Sequence, residues 1–355
     1  MMRTTPAAGT RPPHGPSRLR DFVRRPAVWG TALGLIAVDV LVAVVAGGHL
    51  PFDQPRVAHM SVADRLISPH VEMVEVALLM MIVYALTRRR PPVRMAERAP
   101  AGRRLRAETY GLLAYGAALS VGGLLLGHAL GYHAISFHLD GTLFGTTQTV
   151  TPAETFVWAA YNVVGYALLP YLWFRRRYSS TQLNLKSANR RGDLLVIVVV
   201  LVLEGTFQLT LGSHAILELA PRQIAIGAPL TFGLYFLGTV LPTMVFVYAI
   251  LLPRLLRLSG SVPATVVLGG LTYAGLHFFD GWTVFATPRD AALSVAFVLL
   301  TYAVPGMFKS YITLRTGNAW AHVWAYHAIA PHTLMDTPLI VKIFHIGGPT
   351  PPMPM

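Results

Sequence analysis

Residues 227–252, with the sequence GAPLTFGLYFLGTVLPTMVFVYAILL, contain no charged side chain. An α-helix needs roughly 20 consecutive apolar residues to cross the hydrocarbon core of a bilayer, and this run exceeds that length. The whole chain has the same character, since 54% of its 355 residues are hydrophobic and only 13% are charged, whereas a soluble domain has about 25% charged residues. The sequence therefore predicts an integral membrane protein.

Apolar runs of similar length recur along the chain. They occupy about 28–47, 71–87, 108–130, 155–174, 193–214, 227–252, 262–281, 291–308 and 317–340. No alternating pattern long enough to indicate strands competes with these runs. The predicted fold is an all-α, polytopic membrane bundle with about nine transmembrane helices.

The charges between the runs predict the topology. Most of the Lys and Arg residues lie in segments 1–27, 88–107, 175–191, 253–261 and 309–316, and positive charge gathers on the cytoplasmic side of membrane proteins. We therefore expect a cytoplasmic amino terminus. The net charge of +13 comes mainly from these segments between the apolar runs. A nucleic-acid-binding protein would instead gather its positive charge on one face of a folded soluble domain. Membrane lipid is therefore an expected partner, and nucleic acid is not. The preference for Arg over Lys favours a bacterial cytoplasmic membrane.

Four landmarks in the second half of the chain carry a family resemblance. They are Leu251-Leu-Pro-Arg254, Tyr273-Ala-Gly-Leu-His277, Arg315-Thr-Gly-Asn-Ala-Trp320 and His327-Ala-Ile-Ala-Pro331. Their order and spacing resemble the CPBP (ABI) family of intramembrane glutamic endopeptidases, which includes the type II CAAX prenyl endopeptidase. The resemblance covers about residues 170–335. It implies cleavage of membrane-embedded or lipidated protein tails by general-base hydrolysis.

The resemblance also implies site residues. In that family, a glutamate pair, two histidines on later helices and an asparagine surround a water. Carried over by position, His277 and His327 match the two histidines, and Tyr273 stands at an aromatic position that walls the cavity. The histidines are therefore expected to position the water or to stabilise the developing oxyanion.

Other positions of the family pattern are substituted. The glutamate pair and the arginine fall on Thr243, Met244 and Tyr248, and the asparagine falls on Pro331, which should kink its helix. These side chains are expected to line the cavity. Glu204, near the centre of its apolar run, is the candidate replacement base, because ionisable residues inside a membrane mark functional sites. Its alternative role is helix packing through hydrogen bonds.

A second pattern, of His and Asp residues at helical spacing, favours a metal-binding site. Asp280 follows His277 by three residues, and Asp336 follows His332 by four, so each pair shares a helix face. Sets of His and Asp can bind zinc or iron. His327 and His332 are five residues apart, which on an α-helix separates them by roughly 140°. Because no compact ligand motif is present, no cofactor is assigned, and a metal held by Asp280, His332 and Asp336 is the alternative.

The chain divides into four predicted parts. Residues 1–27 form a disordered, basic cytoplasmic tail, 28–169 form accessory transmembrane helices with a cytoplasmic Arg/Pro loop, 170–340 form the CPBP-like core, and 341–355 form a flexible tail. The Arg/Pro-rich residues 88–106 are expected to be disordered. The polar segment 131–153, with His133, His138 and Asp140, is expected to be a solvated loop rather than a substrate lid.

Three functions follow as hypotheses. The first is an intramembrane endopeptidase that uses His277, His327 and Glu204 as catalytic residues. The second is an inactive pseudoprotease that keeps the fold and binds membrane segments or lipids. The third is a metal-dependent membrane oxidoreductase or a transporter. The chain contains no cysteine, which excludes a thiol nucleophile and thiolate metal ligands for all three.

Overall fold

A computed structural model describes residues 24–45, 62–139, 150–212, 215–281 and 283–347. These residues form helices and no strands, so the predicted all-α class is confirmed for the part of the chain that is described. Most of the predicted basic tail, residues 1–23, lies outside the described residues, as do Asp140 and residues 348–355.

The described residues form helical rods that we number α1 to α9. They are α1 (Pro26–Val45), α2 (Val62–Thr87), α3 (Gly102–Leu130), α4 (Pro152–Asn162, Val163–Leu168 and Leu169–Arg175), α5 (Arg190–Phe207 and Gln208–Gly212), α6 (Pro221–Ser259), α7 (Val262–Leu276), α8 (Pro288–Thr316) and α9 (Trp320–His322, Val323–Leu334 and Met335–Ile343). Among the described residues, six of these helices are long and apolar enough to cross a membrane, namely α1, α2, α3, α5, α6 and α8, while α7 is a shorter apolar helix.

Several rods widen into π-helix. Their hydrogen bonds then run from each residue to the fifth residue along the chain, and such segments occur often at functional sites. The longest covers Val323–Leu334 in α9, and others cover Met244–Leu251 in α6 and Val163–Leu168 in α4. Pro331 lies inside the α9 segment. A proline cannot donate the helical hydrogen bond, and the distortion predicted at Pro331 is present as π-helical turns.

The helix α6 occupies the centre of the bundle. All of its residues from Met244 to Leu251 are buried. In contrast, α1 exposes Leu33, Ile36 and Val40 on its outer face. Large apolar side chains on the outside and a hydrogen-bonded helical backbone are the features that a lipid environment requires.

One end of the bundle is held by arginines, and we call it the basic end. Arg98 donates from Nη1 to the carbonyl of Gly317 at 2.7 Å, and Arg257 donates to the carbonyl of Ala99. Met95, between these contacts, is buried in the main core. The predicted disorder of residues 88–106 is therefore wrong, because their arginines bond to backbone carbonyls and Met95 packs inside.

One other boundary differs from the sequence-based expectation. Residues 309–316 were expected to form a loop, but α8 continues to Thr316 and buries Lys309. Local composition could not place this boundary, because a lysine buried in a helix and a lysine in a cytoplasmic loop look alike in a sequence.

Candidate functional site

The segment after α3 folds back into the bundle at the end opposite the basic end. Gly131 takes a φ of +69°, and the amide of Ile135 then donates to the carbonyl of Gly123 at 3.2 Å. Trp158 Nε1 and Asn162 Nδ2 both donate to the carbonyl of Ser136, at 2.8 and 2.7 Å. Residues 135–139 are buried. The expected solvated loop is therefore wrong for this stretch, which carries His138 into the interior.

Three potential metal ligands meet there: His138, His277 and Asp280, all of them buried. His277 is the residue after the last turn of α7, and Asp280 lies in the turn that follows. The Nδ1 atoms of the two imidazoles are 3.2 Å apart. Asp280 Oδ2 lies 3.0 Å from His277 Nδ1 and 3.4 Å from His138 Nδ1.

These three distances fit a bound cation. Zinc binds nitrogen and oxygen ligands at about 2.0–2.2 Å in a tetrahedron, which places neighbouring ligand atoms about 3.3–3.6 Å apart, close to the observed 3.0–3.4 Å. In one arrangement His277 Nδ1 donates to Asp280 Oδ2 while His138 Nδ1 accepts from the Tyr302 hydroxyl, 3.0 Å away. In the other arrangement, both Nδ1 atoms and Asp280 Oδ2 direct lone pairs at a cation.

Neighbouring hydroxyl groups hold the Asp280 carboxylate in place. Tyr302 Oη donates to Asp280 Oδ2 at 2.8 Å and lies 3.0 Å from His138 Nδ1. The ring of Tyr302 stacks on the ring of His277 with a centroid distance of 3.8 Å. Ser136 Oγ donates to the other oxygen of Asp280. Partners of this kind orient metal ligands. Sequence reasoning did not name Tyr302, and it placed His138 in a solvated loop. The alternation of apolar residues from Ile135 to Leu139 is the signal that could have found His138.

The imidazoles of α9 extend this cluster into the bundle. His322, His327 and His332 follow one another at intervals of five residues, with ring centroids 6.0 and 5.0 Å apart. The ring of His332 lies 5.2 Å from that of His138. The expected 140° between His327 and His332 is wrong, because five residues nearly complete one turn of a π-helix. The expected shared face of His332 and Asp336 is present, with Nδ1 and Oδ2 3.0 Å apart.

The residues that the family resemblance implied lie beside His327. Thr243 Oγ1 is 3.5 Å from His327 Nδ1, and Tyr273 Oη is 3.4 Å from His327 Nε2. The ring of Tyr273 also meets that of His277 at 4.6 Å. The structure therefore brings His277 and His327 to the two sides of one tyrosine.

The other expected cavity residues lie elsewhere. Tyr248 packs on His322, with ring centroids 4.3 Å apart. Met244 is buried in the main core, and Pro331 is half-buried in α9. Glu204 accepts a hydrogen bond from Gln208 at 2.9 Å. Among the described residues, no hydrogen bond or ion pair joins Glu204 to His277 or His327.

Several buried polar atoms of this interior lack a hydrogen-bond partner among the described residues. They include Nε2 of His277, His322 and His332, and Oη of Tyr248. A buried polar atom without a partner costs about 1–3 kcal/mol. These four atoms are therefore available to hydrogen-bond a ligand.

The arrangement of His138, His277 and Asp280 can bind a small divalent cation. Two imidazole nitrogens and one carboxylate oxygen suit zinc or iron(II) better than magnesium, which prefers oxygen ligands. Comparisons with protein-family models, curated proteins and solved structures give no match to this chain. The function is therefore argued from the geometry of the cluster.

Proposed function

We propose that this chain is a metal-dependent intramembrane hydrolase with a CPBP-like core in residues 170–340. His138, His277 and Asp280 hold a divalent cation. The observation that carries this proposal is the set of distances of 3.0 to 3.4 Å among their three ligand atoms. Three protein ligands leave one coordination position for water, which is the composition of catalytic zinc sites.

A cation held by His138, His277 and Asp280 would supply a water of lowered pKa and would polarise the carbonyl of the substrate. The chain's own residues orient the ligands and stabilise the negative charge that develops on the substrate. Ser136 and Tyr302 fix the Asp280 carboxylate, and this carboxylate keeps the two imidazoles aimed at one point. The hydroxyl of Tyr302 is placed to donate to an oxygen that gains negative charge.

A metal site would account for the absence of the glutamate pair that the resembled family has. Thr243 stands where the resembled family has a glutamate, and its hydroxyl is a poor base at neutral pH. Glu204 is hydrogen-bonded to Gln208 instead of to an imidazole. Asp280 is the carboxylate that touches His138 and His277. A cation held by Asp280 and the two imidazoles would thus take the role in water activation that a glutamate has in the resembled family.

The substrate class and the topology belong to the same proposal. The substrate is a peptide bond in a membrane-embedded or lipidated protein tail, and the chain crosses a bacterial cytoplasmic membrane nine times with its amino terminus inside. The helices α3 and α7 both begin at the basic end and carry the cluster at their far ends. With the basic end in the cytoplasm, hydrolysis takes place in the outer half of the bilayer.

Metal analysis of the full chain tests this function. Purified without chelators, the wild type is expected to contain about one zinc or iron ion per chain. His277→Ala and Asp280→Asn should lose it, while His128→Ala, which changes an exposed histidine of α3, should keep it. The metal-loaded wild type should cleave a membrane-anchored reporter peptide in proteoliposomes. Equal metal content in all four proteins would disprove the proposed site.

A second candidate function is binding without cleavage. The substitutions Thr243 and Met244 favour it, since a pseudoprotease has no need of the glutamate pair. Metal-loaded protein that binds the reporter peptide but leaves it intact would support this candidate. Metal that changes its oxidation state during turnover, or crosses the membrane, would instead support an oxidoreductase or a transporter.

A further inference from the structure

The stretch that follows α3 turns back along the last two turns of that helix, and we call residues 132–139 the strap. The amide of Tyr132 donates to the carbonyl of Gly127 at 2.9 Å. The amide of Ile135 donates to the carbonyl of Gly123 at 3.2 Å. The strap is thus attached to α3 through hydrogen bonds between backbone groups.

Two glycines of α3 make this approach possible. A Cβ atom built on Gly127 would overlap the carbonyl oxygen of His133, and one built on Gly123 would overlap that of Ile135. These neighbours are backbone atoms, which cannot move aside as the end of a flexible side chain can. In contrast, a Cβ atom on Gly111, an exposed glycine of the same helix, would meet nothing within 4 Å. A larger residue at position 123 or 127 would therefore displace the strap.

A carboxylate at the start of α4 holds the first half of the strap. Glu154 Oε1 accepts from the backbone amide of His133 at 2.7 Å and lies 2.7 Å from Nδ1 of the same residue. The amide of Glu154 donates to the hydroxyl of Thr151 at 3.2 Å, which fixes the end of the helix that carries this side chain. Hydrogen bonds to a carboxylate are roughly twice as strong as those between neutral groups. Glu154 therefore fastens the strap to α4 as the glycines seat it on α3.

The second half of the strap carries one of the three potential metal ligands. Its residue His138 places Nδ1 3.2 Å from Nδ1 of His277 and its backbone amide 3.4 Å from Asp280 Oδ1. The other two ligands, His277 and Asp280, belong to the end of α7 and the turn after it. Because distances from a metal to its ligands tolerate changes of only about 0.2 Å, a larger shift of the strap removes His138 from the set.

We propose that Gly123, Gly127 and Glu154 are positioning residues for His138, and that docking of the strap controls occupancy of the metal site. This inference rests on the proposed function, and it assigns control of that site to contacts outside the set of ligands. The coupling is reciprocal, since a cation that binds only the docked strap stabilises docking by the same free energy. Bound zinc should therefore protect the strap from opening.

Two measurements on the full chain in lipid nanodiscs test the contact with α3. Competition with a chelator gives the affinity for zinc, and hydrogen–deuterium exchange of the strap amides reports docking with or without zinc. Gly127→Ala should lower zinc affinity by about 10–100-fold, the range for loss of an outer-sphere partner, and should speed exchange of the strap. Gly111→Ala, the same change in open space on the same helix, should alter neither. Exchange at the basic end should match the wild type in both, which shows that the bundle is folded.

Two substitutions of Glu154 separate positioning from general packing. Glu154→Ala removes the acceptor of the His133 amide, whereas the amide oxygen in Glu154→Gln can still accept from it. The alanine variant should therefore lose zinc affinity and protection of the strap, and the glutamine variant should recover most of both.

The positioning role and the metal site fail in different ways. If the wild type binds zinc, and Gly127→Ala and Glu154→Ala match it in affinity and in strap exchange, the positioning role is overturned and the metal site stands. If the wild type binds no zinc but both variants speed strap exchange, the metal site is overturned, and the contacts that place His138 beside His277 are supported. Zinc that binds the wild type without slowing strap exchange overturns the coupling between docking and occupancy.

Discussion

Asp280 and Glu204 are both carboxyl groups buried in this bundle, but their partners differ. Asp280 accepts from Ser136 and Tyr302 and touches two imidazoles. Glu204 accepts from Gln208 and leaves one oxygen without a donor among the described residues. Fixed hydrogen-bond donors favour the ionised form of a carboxyl group, and their lack favours the protonated form. Among the described residues, Asp280 therefore belongs to a set of potential cation ligands, whereas Glu204 does not.

Among the variants that test this comparison, Asp280→Asn should cause the largest change, a loss of metal affinity. It removes the one charged ligand of the cluster, so metal affinity should fall by more than the roughly 10–100-fold that loss of an outer-sphere partner causes. Competition with a chelator measures this affinity. Asp336→Asn is the matched control, since Asp336 is equally buried but pairs with His332. Equal losses in the two variants would show that Asp280 acts only through packing.

Arg254→Ala tests a third carboxylate, at the basic end. Arg254 donates from Nε and Nη2 to Glu108 at 2.9 and 2.7 Å. Burial and the hydrogen bond to Glu108 raise the pKa of the Tyr178 hydroxyl, which stays protonated and also donates to Glu108. Breaking a buried ion pair costs about 3–5 kcal/mol. Because Tyr178 and Arg104 remain as partners, we expect a loss of about 3 kcal/mol in the free energy of unfolding.

Reversible unfolding in mixed detergent measures the effect of Arg254→Ala. The control is Arg103→Ala, at an exposed position of the same end, which should change stability by less than about 0.5 kcal/mol. Metal content should be normal in both variants, since the histidine cluster lies at the opposite end. A loss of metal in Arg254→Ala with retained folding would contradict this separation of the two ends.

Tyr302→Phe should lower metal affinity moderately and leave stability nearly unchanged. It removes the hydroxyl that holds Asp280 but keeps the ring that stacks on His277. We expect a 10–100-fold loss of metal affinity, as for other outer-sphere changes, with little change in thermal stability. Tyr110→Phe, at an exposed site on α3, is the control. Unchanged metal affinity in Tyr302→Phe would mean that Asp280 is oriented by the backbone alone.

Glu204→Gln should have the smallest effect, which sharpens the contrast with Asp280. The amide keeps the shape of the side chain, and its oxygen can still accept from Gln208, so the free energy of unfolding should change by less than about 1 kcal/mol. Metal content and cleavage should remain those of the wild type. Loss of cleavage with full metal content would instead support Glu204 as the catalytic base.

Sequence reasoning succeeded for interactions between near neighbours. His332 and Asp336 were expected to meet because they are one turn apart on a helix, and they do. His277 and Asp280 also meet, but through the turn after α7 instead of a shared helix face. Sequence reasoning failed where the partner comes from another segment. His138 reaches His277 across 139 positions of the chain, through a segment whose polar residues suggested a solvated loop. No local pattern encodes such a contact.

The sequence by itself determined that this is a helical protein with the composition of a membrane protein, because the length and hydropathy of apolar runs act locally along the chain. Only the tertiary structure decided which polar groups meet inside it. The π-helical turns of α9 align histidines that an α-helix would separate, and the fold-back after α3 inserts His138. Both depend on packing among distant segments, where burial makes each polar atom find a partner or hold a ligand.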